Sequence, residues 1–291
     1  MSSFSAYTPL HPSIQPGCPL CKGQGYRTRA DGEHAIAERC SCVGKCSFCG
    51  ESGWESPPGD RWARRTRCRC GELNLRIERF NHAGVPGRHA NSTRSPDSFK
   101  PSRDVMEAMS TVSKYLSGYK TTQENLGLIL WGDVGRGKTH LLVAMLRELI
   151  FRHGVTARFV EFSHLLADLK SGFDRKEGVS TLLDPLVKVD ILAIDELGKG
   201  RNTEFEYQIL DELVSRRYNA GRTLLATTNY PPGPSTGRAT GDLVAETLPP
   251  LIDRVGERVY SRLQETCDFC QLRGEDYRAK IAARGHDRLA R

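Results

Sequence analysis

The sequence predicts an α/β fold: a parallel sheet built around one phosphate-binding loop, preceded by a small cysteine-rich zinc module. Three observations carry this. First, Gly132-Asp133-Val134-Gly135-Arg136-Gly137-Lys138-Thr139 fits G-x-x-x-x-G-K-[S/T]. It lies between a strand-length apolar run, Leu126–Trp131, and a Gly- and Pro-free apolar run of helix length, His140–Phe151, the context this pattern needs. Second, a β-rich run, Val189–Ile194, ends in two acids, Asp195 and Glu196. Third, eight of the ten cysteines fall within residues 17–72.

The loop's chemistry follows from its geometry. Glycines let the backbone wrap a phosphate chain with N–H groups pointing inward. The helix that follows adds a partial positive charge at its N-terminus. Residues 132–140, ending in Lys138, Thr139 and His140, are the candidate ATP contacts. Lys138 is placed to reach the β and γ phosphates, and the Thr139 hydroxyl to hold magnesium. The bland reading is a chance Gly-rich turn; the flanking elements and the acid pair argue against it.

Composition narrows the class. A chain of 291 residues suits one core domain plus a smaller module. No apolar run approaches membrane-spanning length, so no membrane segment is expected. The N-terminus lacks a basic start followed by an apolar stretch, so a cytoplasmic protein is expected. The formal charge of +7 is uneven: residues 1–100 hold 15 Lys and Arg against nine Asp and Glu. A basic front hints at nucleic acid, weakly when taken alone.

Taken in order, residues 1–16 carry Pro9, Pro12 and Pro16 among small polar residues and read as a disordered tail. Residues 17–72 read as a duplicated zinc module. Cys18-x-x-Cys21 with Cys40-x-Cys42 repeats, 28 residues on, as Cys46-x-x-Cys49 with Cys68-x-Cys70. Gly25 recurs as Gly53, Tyr26 as Trp54, and Arg39 as Arg67. Paired thiols on tight turns suit tetrahedral zinc, whose binding energy folds segments too small for a core. Disulfides are the alternative, disfavoured beside a cytosolic nucleotide site. The spacing leaves open whether each repeat binds its own ion or the repeats cross-brace. Arg61, Arg64, Arg65, Arg67 and Arg69 surround Trp62. That cluster suits phosphate contact with base stacking, and equally a solvated basic loop or a protein-binding face. Residues 73–103 read as a linker broken by Gly and Pro after a short helix, Leu73–Phe80. Residues 104–291 form the ATPase domain, opening with a helix over Asp104–Tyr119.

Within that domain, Ala157–Phe162 reads as a strand, with Ser163 capping a helix to about Lys170 and residues 171–180 as loop. Asp195 and Glu196 stand where open parallel sheets place their sites: Asp195 for magnesium, Glu196 as general base for the lytic water. Gly198-Lys199-Gly200-Arg201 reads as a flexible basic loop. Glu204–Tyr218 is a helix whose Tyr207, Leu210, Val214 and Tyr218 form a core stripe. Thr223–Thr228 is a strand ending at Asn229, an amide placed to orient water. Residues 230–250 read as a long loop, and Gly256–Leu263 as a helix with Arg258 and Arg262 on one face. Cys267 and Cys270 fall on a last strand, where odd spacing puts the thiols on opposite faces and argues against metal. From Gly274 the tail is a short helix at most.

The stretches G-D-V-G-R-G-K-T-H-L, I-L-A-I-D-E-L-G, S-R-R-Y, T-T-N, E-R-V-Y-S-R-L and G-E-D-Y-R, with F-N-H-A-G-V-P-G-R-H ahead of them, stand in one order across residues 80–280. Together they resemble the AAA+ ATPases of the DnaC/DnaI helicase-loader type and the IstB-like transposition helpers. The resemblance implies a AAA+ core with a reduced lid. It implies Asn229 as the sensor-1 residue and Arg262 as an arginine finger acting on a neighbouring subunit, with Arg258 as its alternative and Arg278 as a sensor-2-like contact. The stretch between Asn229 and Arg258 is longer than the family's, and the doubled cysteine module is only loosely like the single zinc region of some loaders.

The expected function is a replication accessory ATPase. It would bind ATP and single-stranded DNA, assemble into nucleotide-dependent homo-oligomers, and partner with a replicative helicase. A transposition helper, partnered with a transposase, shares the same core. A protein of another class, a zinc-based nucleic-acid-binding or scaffold protein that uses ATP only as a switch, is disfavoured by Glu196 and the candidate finger.

Overall fold

Each cysteine repeat folds as a thiol pair, an antiparallel hairpin and a second thiol pair. In the first, Tyr26–Asp31 (β1) pairs with His34–Arg39 (β2), Tyr26 opposite Arg39. In the second, Trp54–Glu55 (β3) pairs with Thr66–Arg67 (β4), Trp54 opposite Arg67. The sequence period is therefore a structural period. Cys40 N–H donates to Gly25 O and Cys68 N–H to Gly53 O, both at 2.9 Å. The computed structural model describes residues 10–55, 65–95, 105–174, 179–233, 248–277 and 279. The chain divides into two units, Met1–Asn91 with Ile150–Gly154, and Ser92–Leu149 with Val155–Arg291.

The first unit extends beyond the expected module at both ends. Leu10, His11 and Ile14 are buried, so residues 10–16 pack where a disordered tail was expected; residues 1–9 lie outside the described ones. Leu10 and Ile14 place two aliphatic side chains four residues apart, enough to anchor a short turn. Gly71–His82 (α1) carries Glu72 in its first turn and Arg79 and His82 in its last, complementing the helix dipole. Its Leu73 and Phe80 are fully buried. Phe80 packs at 5.6 Å from the Phe151 ring, on which Tyr26 stacks at 3.6 Å. Residues 73–91, expected as linker, thus belong to this unit, with Leu73, Phe80, Ala83 and Val85 in its core.

In the second unit, Met106–Gly118 (α2) buries Ala108, Val112 and Leu116. Gly127–Trp131 (β5) leads into Lys138–His153 (α3), whose residues from Ile150 fall in the first unit, then Ala157–Glu161 (β6), Phe162–Asp174 (α4), Val179–Lys188 (α5) and Ile191–Asp195 (β7). Glu204–Asn219 (α6), Thr223–Thr228 (β8), Leu251–Val255 (α7), Glu257–Thr266 (α8) and Cys267–Gln271 (β9) follow. The strands form one sheet in the order β6-β7-β8-β5-β9, every pair parallel. β7 and β8 are buried along their whole length, as strands covered on both faces must be. Gly127 is required where β5 runs between its neighbours: a Cβ there would lie 2.0 Å from Leu224 O and 2.6 Å from Cys267 Sγ. Inside the α3 segment, Leu141, Leu142, Met145, Leu146 and Leu149 are fully buried. Truncating any one of them to Ala costs about 2–5 kcal/mol.

Four local expectations change. Ser163 does not cap α4: the helix starts at Phe162, straight out of β6, and the Ser163 hydroxyl donates to Glu161 at 2.7 Å. The expected loop 171–180 is helical to Asp174 and again from Val179, with 175–178 outside the described residues. A single glycine, Gly172, costs only about 1 kcal/mol in a helix, and Leu165, Leu166 and Leu169 hold α4 to the core. α5 has no counterpart in the sequence expectation because Pro185 interrupts its pattern, yet Leu183 and Leu186 are buried. In α6 the buried stripe is Ile209, Leu210, Leu213, Val214 and Arg217, while Tyr207 and Tyr218 spend their hydroxyls on Asp253 O and Glu265. Most of the long loop (234–247), Arg278 and residues 280–291, on which the reduced lid and short terminal helix depend, lie outside the described residues. Among the described residues no helix is long and apolar enough to cross a membrane.

Candidate nucleotide site and metal centres

The phosphate loop joins the end of β5 to the start of α3. The Lys138 ammonium is buried and donates to the carbonyls of Gly132 (2.7 Å) and Asp133 (2.6 Å). The Thr139 hydroxyl donates to the Asp195 carboxylate, 3.0 and 3.1 Å from its two oxygens. Arg136 pairs with Asp133 at 2.9 Å, and Val134 stands exposed at the tip. Gly135 takes φ +79°, and a Cβ there would lie 1.9 Å from Asp276 Oδ1. Tyr277 N–H donates to Gly135 O at 3.1 Å. The segment after β9 thus lies on the loop, and Asp276 is a site neighbour that sequence reasoning missed. His140, included among the nucleotide contacts, turns its ring elsewhere: Nε2 bonds Thr93 O (2.9 Å) and Nδ1 bonds Ser92 Oγ (3.1 Å). Burial lowers its pKa.

The acids stand at the C-terminal edge of the sheet, where open parallel sheets bind ligands. Asp195 is buried and accepts the Thr227 hydroxyl at 2.5 Å. Burial raises its pKa, the Thr227 and Thr139 hydroxyls oppose this, and the nearby Glu196 and Glu161 add to it. Glu161, opposite Asp195 in register, completes an acidic edge and was not foreseen. Thr227 was also missed, though it serves both acids: its Oγ1 accepts the Glu196 N–H at 2.9 Å. The only sign of it in the sequence is the doubled threonine before Asn229. Glu196 sits at φ +57°, a left-handed conformation unusual outside glycine. Strain of this kind concentrates at functional sites. Its carboxylate pairs with Lys199, and this contact raises the lysine's pKa. Asn229 follows β8 directly at the same sheet edge.

The basic loop after Glu196 is not loose. Arg254 of α7 donates to Gly198 O (2.9 Å) and Gly200 O (2.5 Å), with its guanidinium 5.0 Å from the Tyr230 ring. Arg262 is half-buried, 3.0 Å from Asp211 and 6.0 Å from the Tyr218 ring; Arg258 is exposed, 3.9 Å from Asp211. Among the described residues both arginines therefore face α6 and not the phosphate loop of their own chain.

The eight module thiols gather into two clusters, Cys18, Cys21, Cys40 and Cys42, and Cys46, Cys49, Cys68 and Cys70. Within each, all four Sγ atoms lie within 4.8 Å of one another. The thiols of each repeat gather with one another and not with those of the other repeat. Close Sγ pairs stand at 3.8 Å (Cys18–Cys40), 3.5 Å (Cys21–Cys42), 3.6 Å (Cys46–Cys68) and 3.2 Å (Cys49–Cys70). A zinc–sulfur bond of about 2.3 Å gives a tetrahedral edge of about 3.8 Å, so the donor sets fit zinc and none is a disulfide. Gly25 N–H donates to Cys21 Sγ at 3.3 Å, as a thiolate ligand requires of its surroundings. Cys267 and Cys270 join neither cluster. Burial pushes their pKa values up to about 12 and about 11, the state of inert core thiols.

Comparison with known proteins agrees with this geometry. Residues 103–284 match the family model of the IstB-like ATP binding proteins. The chain is 29% identical over 189 residues to the replicative helicase loader DnaC of Escherichia coli (strain K12), covering 64% of this chain and 68% of that protein. It is 35% identical over 124 residues to a putative ATP-binding protein in an insertion sequence of Mycobacterium tuberculosis, covering 42% of this chain and 47% of that one. The crystal structure of the DnaC helicase loader superposes with a TM-score of 0.53 at 26% identity, covering 64% of this chain and 99% of that one. The chain belongs to the IstB-like ATP-binding proteins, as a AAA+ ATPase of the DnaC/IstB type.

Proposed function

We propose that the chain is a cytoplasmic ATPase that helps place a replicative helicase on single-stranded DNA. The carrying observation is its similarity to a helicase loader over 189 residues, together with a site that joins Lys138, Thr139, Asp195 and Glu196. Lys138 exchanges its two loop carbonyls for the β and γ phosphates of ATP. Thr139 and Asp195 are the oxygen donors that fit magnesium, which neutralises phosphate charge when bound. Glu196 takes the proton of the attacking water once its carboxylate leaves Lys199, and Asn229 orients that water. Arg262 leaves Asp211 to stabilise charge on the γ-phosphate of a neighbouring subunit, and Arg258 is the alternative. The cysteine repeats each hold one zinc and present a surface to a partner.

The test is a loading assay. The full chain is mixed with its own organism's replicative helicase and a DNA single strand covered by single-strand-binding protein, and ATP-dependent unwinding is followed. Stimulation that is lost in Lys138→Ala supports the reading; no stimulation and no capture of the helicase sinks it. A transposition helper is the second reading, favoured by the insertion-sequence relative; capture of a transposase in place of the helicase decides for it. A zinc scaffold that uses ATP only as a switch would bind ATP without turnover, with or without DNA.

A further inference from the structure

We propose that the second cysteine repeat is a binding surface for single-stranded nucleic acid, with Phe48 and Trp54 as stacking platforms and Arg65, Arg67 and Arg69 as backbone cations. The duplication provides an internal comparison. Both copies share the same thiol geometry and hairpin pairing, so differences between equivalent positions reflect what each copy touches.

In the first copy three of these positions are engaged within the unit, while Leu20 is itself 55% exposed and Ser41 is exposed. Tyr26 is 6% exposed and stacks on Phe151. Ala37 is buried. Arg39 donates to Gly44 O and to Glu51, both at 2.8 Å. In the second copy the first three turn outward, and the two already outward change chemistry. Trp54 replaces Tyr26 and is 47% exposed. Arg65 replaces Ala37 and is exposed. Arg67 replaces Arg39, is exposed, and stands 5.9 Å from the Trp54 ring centroid on the paired strand. Arg69 replaces Ser41, and it too is exposed. At the tip of the thiol pair, Phe48 replaces Leu20 and is 66% exposed. Among the described residues none of the three arginines pairs with an acid.

Every one of these changes adds aromatic area or positive charge, or frees a charge whose first-copy equivalent is paired. Large exposed aromatics interleaved with free arginines fit a strand whose bases stack and whose phosphates track the cations. A duplex keeps its base faces stacked on one another and offers them to no side chain. The surface is in the first unit, so it binds without help from the ATPase core. It would give the chain a hold on a DNA or RNA single strand that does not depend on nucleotide.

The test uses the full chain without ATP and a fluorescein-labelled 20-nucleotide oligo(dT), with a duplex of equal length alongside. Wild type is expected to prefer the single strand. Phe48→Ala/Trp54→Ala should weaken single-strand binding roughly 5- to 150-fold, the range for losing base stacking. Arg65→Ala/Arg67→Ala/Arg69→Ala should flatten the slope of log affinity against log salt by about 2. Arg29→Ala in the first copy, already paired with Asp31 and Glu38, should change neither. Unchanged metal content and melting temperature show that the variants fold. Variants of the second copy that bind oligo(dT) like wild type overturn the proposal, as does equal loss from Arg29→Ala. Helicase capture lost in those variants while oligo(dT) affinity holds would also overturn it and assign the surface to a protein. Failure of wild type to capture a helicase would sink the loader reading and leave this measurement intact.

Discussion

At the scale of single residues the proposed mechanism divides the site into groups that bind and groups that react. Lys138→Ala deletes a charge-assisted phosphate contact, so nucleotide affinity itself should fall; titration with a fluorescent ATP analogue checks it. Glu196→Gln keeps shape and removes a base. ATP binding should survive while turnover falls about a hundredfold or more, and turnover within a factor of two of wild type would remove Glu196 from the mechanism. Thr227 is the residue that ties both acids together. Thr227→Val keeps its volume, leaves the Glu196 N–H without its acceptor, and takes a donor from buried Asp195. We expect a loss of about 1–3 kcal/mol in stability, read by denaturant unfolding, together with slower turnover. An unaltered unfolding midpoint would show that the backbone readily finds another partner.

At the scale of elements, Arg217 shows how a charge can be structural. It is 1% exposed and its guanidinium donates to the carbonyls of Leu186, Val187, Val189, Asp190 and Thr223. These belong to the end of α5, the approach to β7 and the start of β8, and among the described residues no carboxylate hydrogen-bonds to it. Burial pushes its pKa down, while five carbonyl dipoles hold the charged form in place. Arg217→Leu should therefore cost about 3 kcal/mol or more, because it strands several buried acceptors at once. Arg216→Leu, whose partner Asp184 is solvent-accessible, should cost less than about 1 kcal/mol. Equal effects in chemical unfolding would contradict this assignment. On the proposed reading the cysteine repeats are elements of the same kind, stabilised by bound zinc in place of a core. Elemental analysis of reduced protein should find two zinc ions per chain, and Cys267→Ser should not alter that count. One ion or none would contradict the two closed clusters.

At the scale of the whole molecule, the candidate finger cannot be read within one chain. Arg262 rests on Asp211, which suits either a surface ion pair or a finger parked until a neighbour arrives. Arg262→Ala should bind ATP normally and hydrolyse it poorly. Mixing it with Lys138→Ala, also inactive, should restore part of the activity, since some interfaces then pair an intact loop with an intact finger. A surface ion pair predicts a stability change below about 1 kcal/mol and no restoration. Activity per chain that does not vary with concentration, with neither arginine variant impaired, would leave no role for assembly.

The sequence by itself determined the parallel-sheet architecture around a phosphate loop and the family, because both rest on local signals. A phosphate loop must sit between a strand and a helix, and buried parallel strands must be continuously apolar. The cysteine period likewise required a duplicated module. Tertiary structure decided what depends on partners distant in the chain. It closed each thiol cluster within its own repeat, put Thr227 between Asp195 and Glu196, and brought Asp276 onto Gly135. It turned His140 toward Ser92 and Thr93, and drew residues 73–91 into the first unit through Leu73 and Phe80. None of these contacts leaves a periodicity to read: each depends on where a side chain arrives after the sheet and helices have packed, which no window of neighbouring residues encodes.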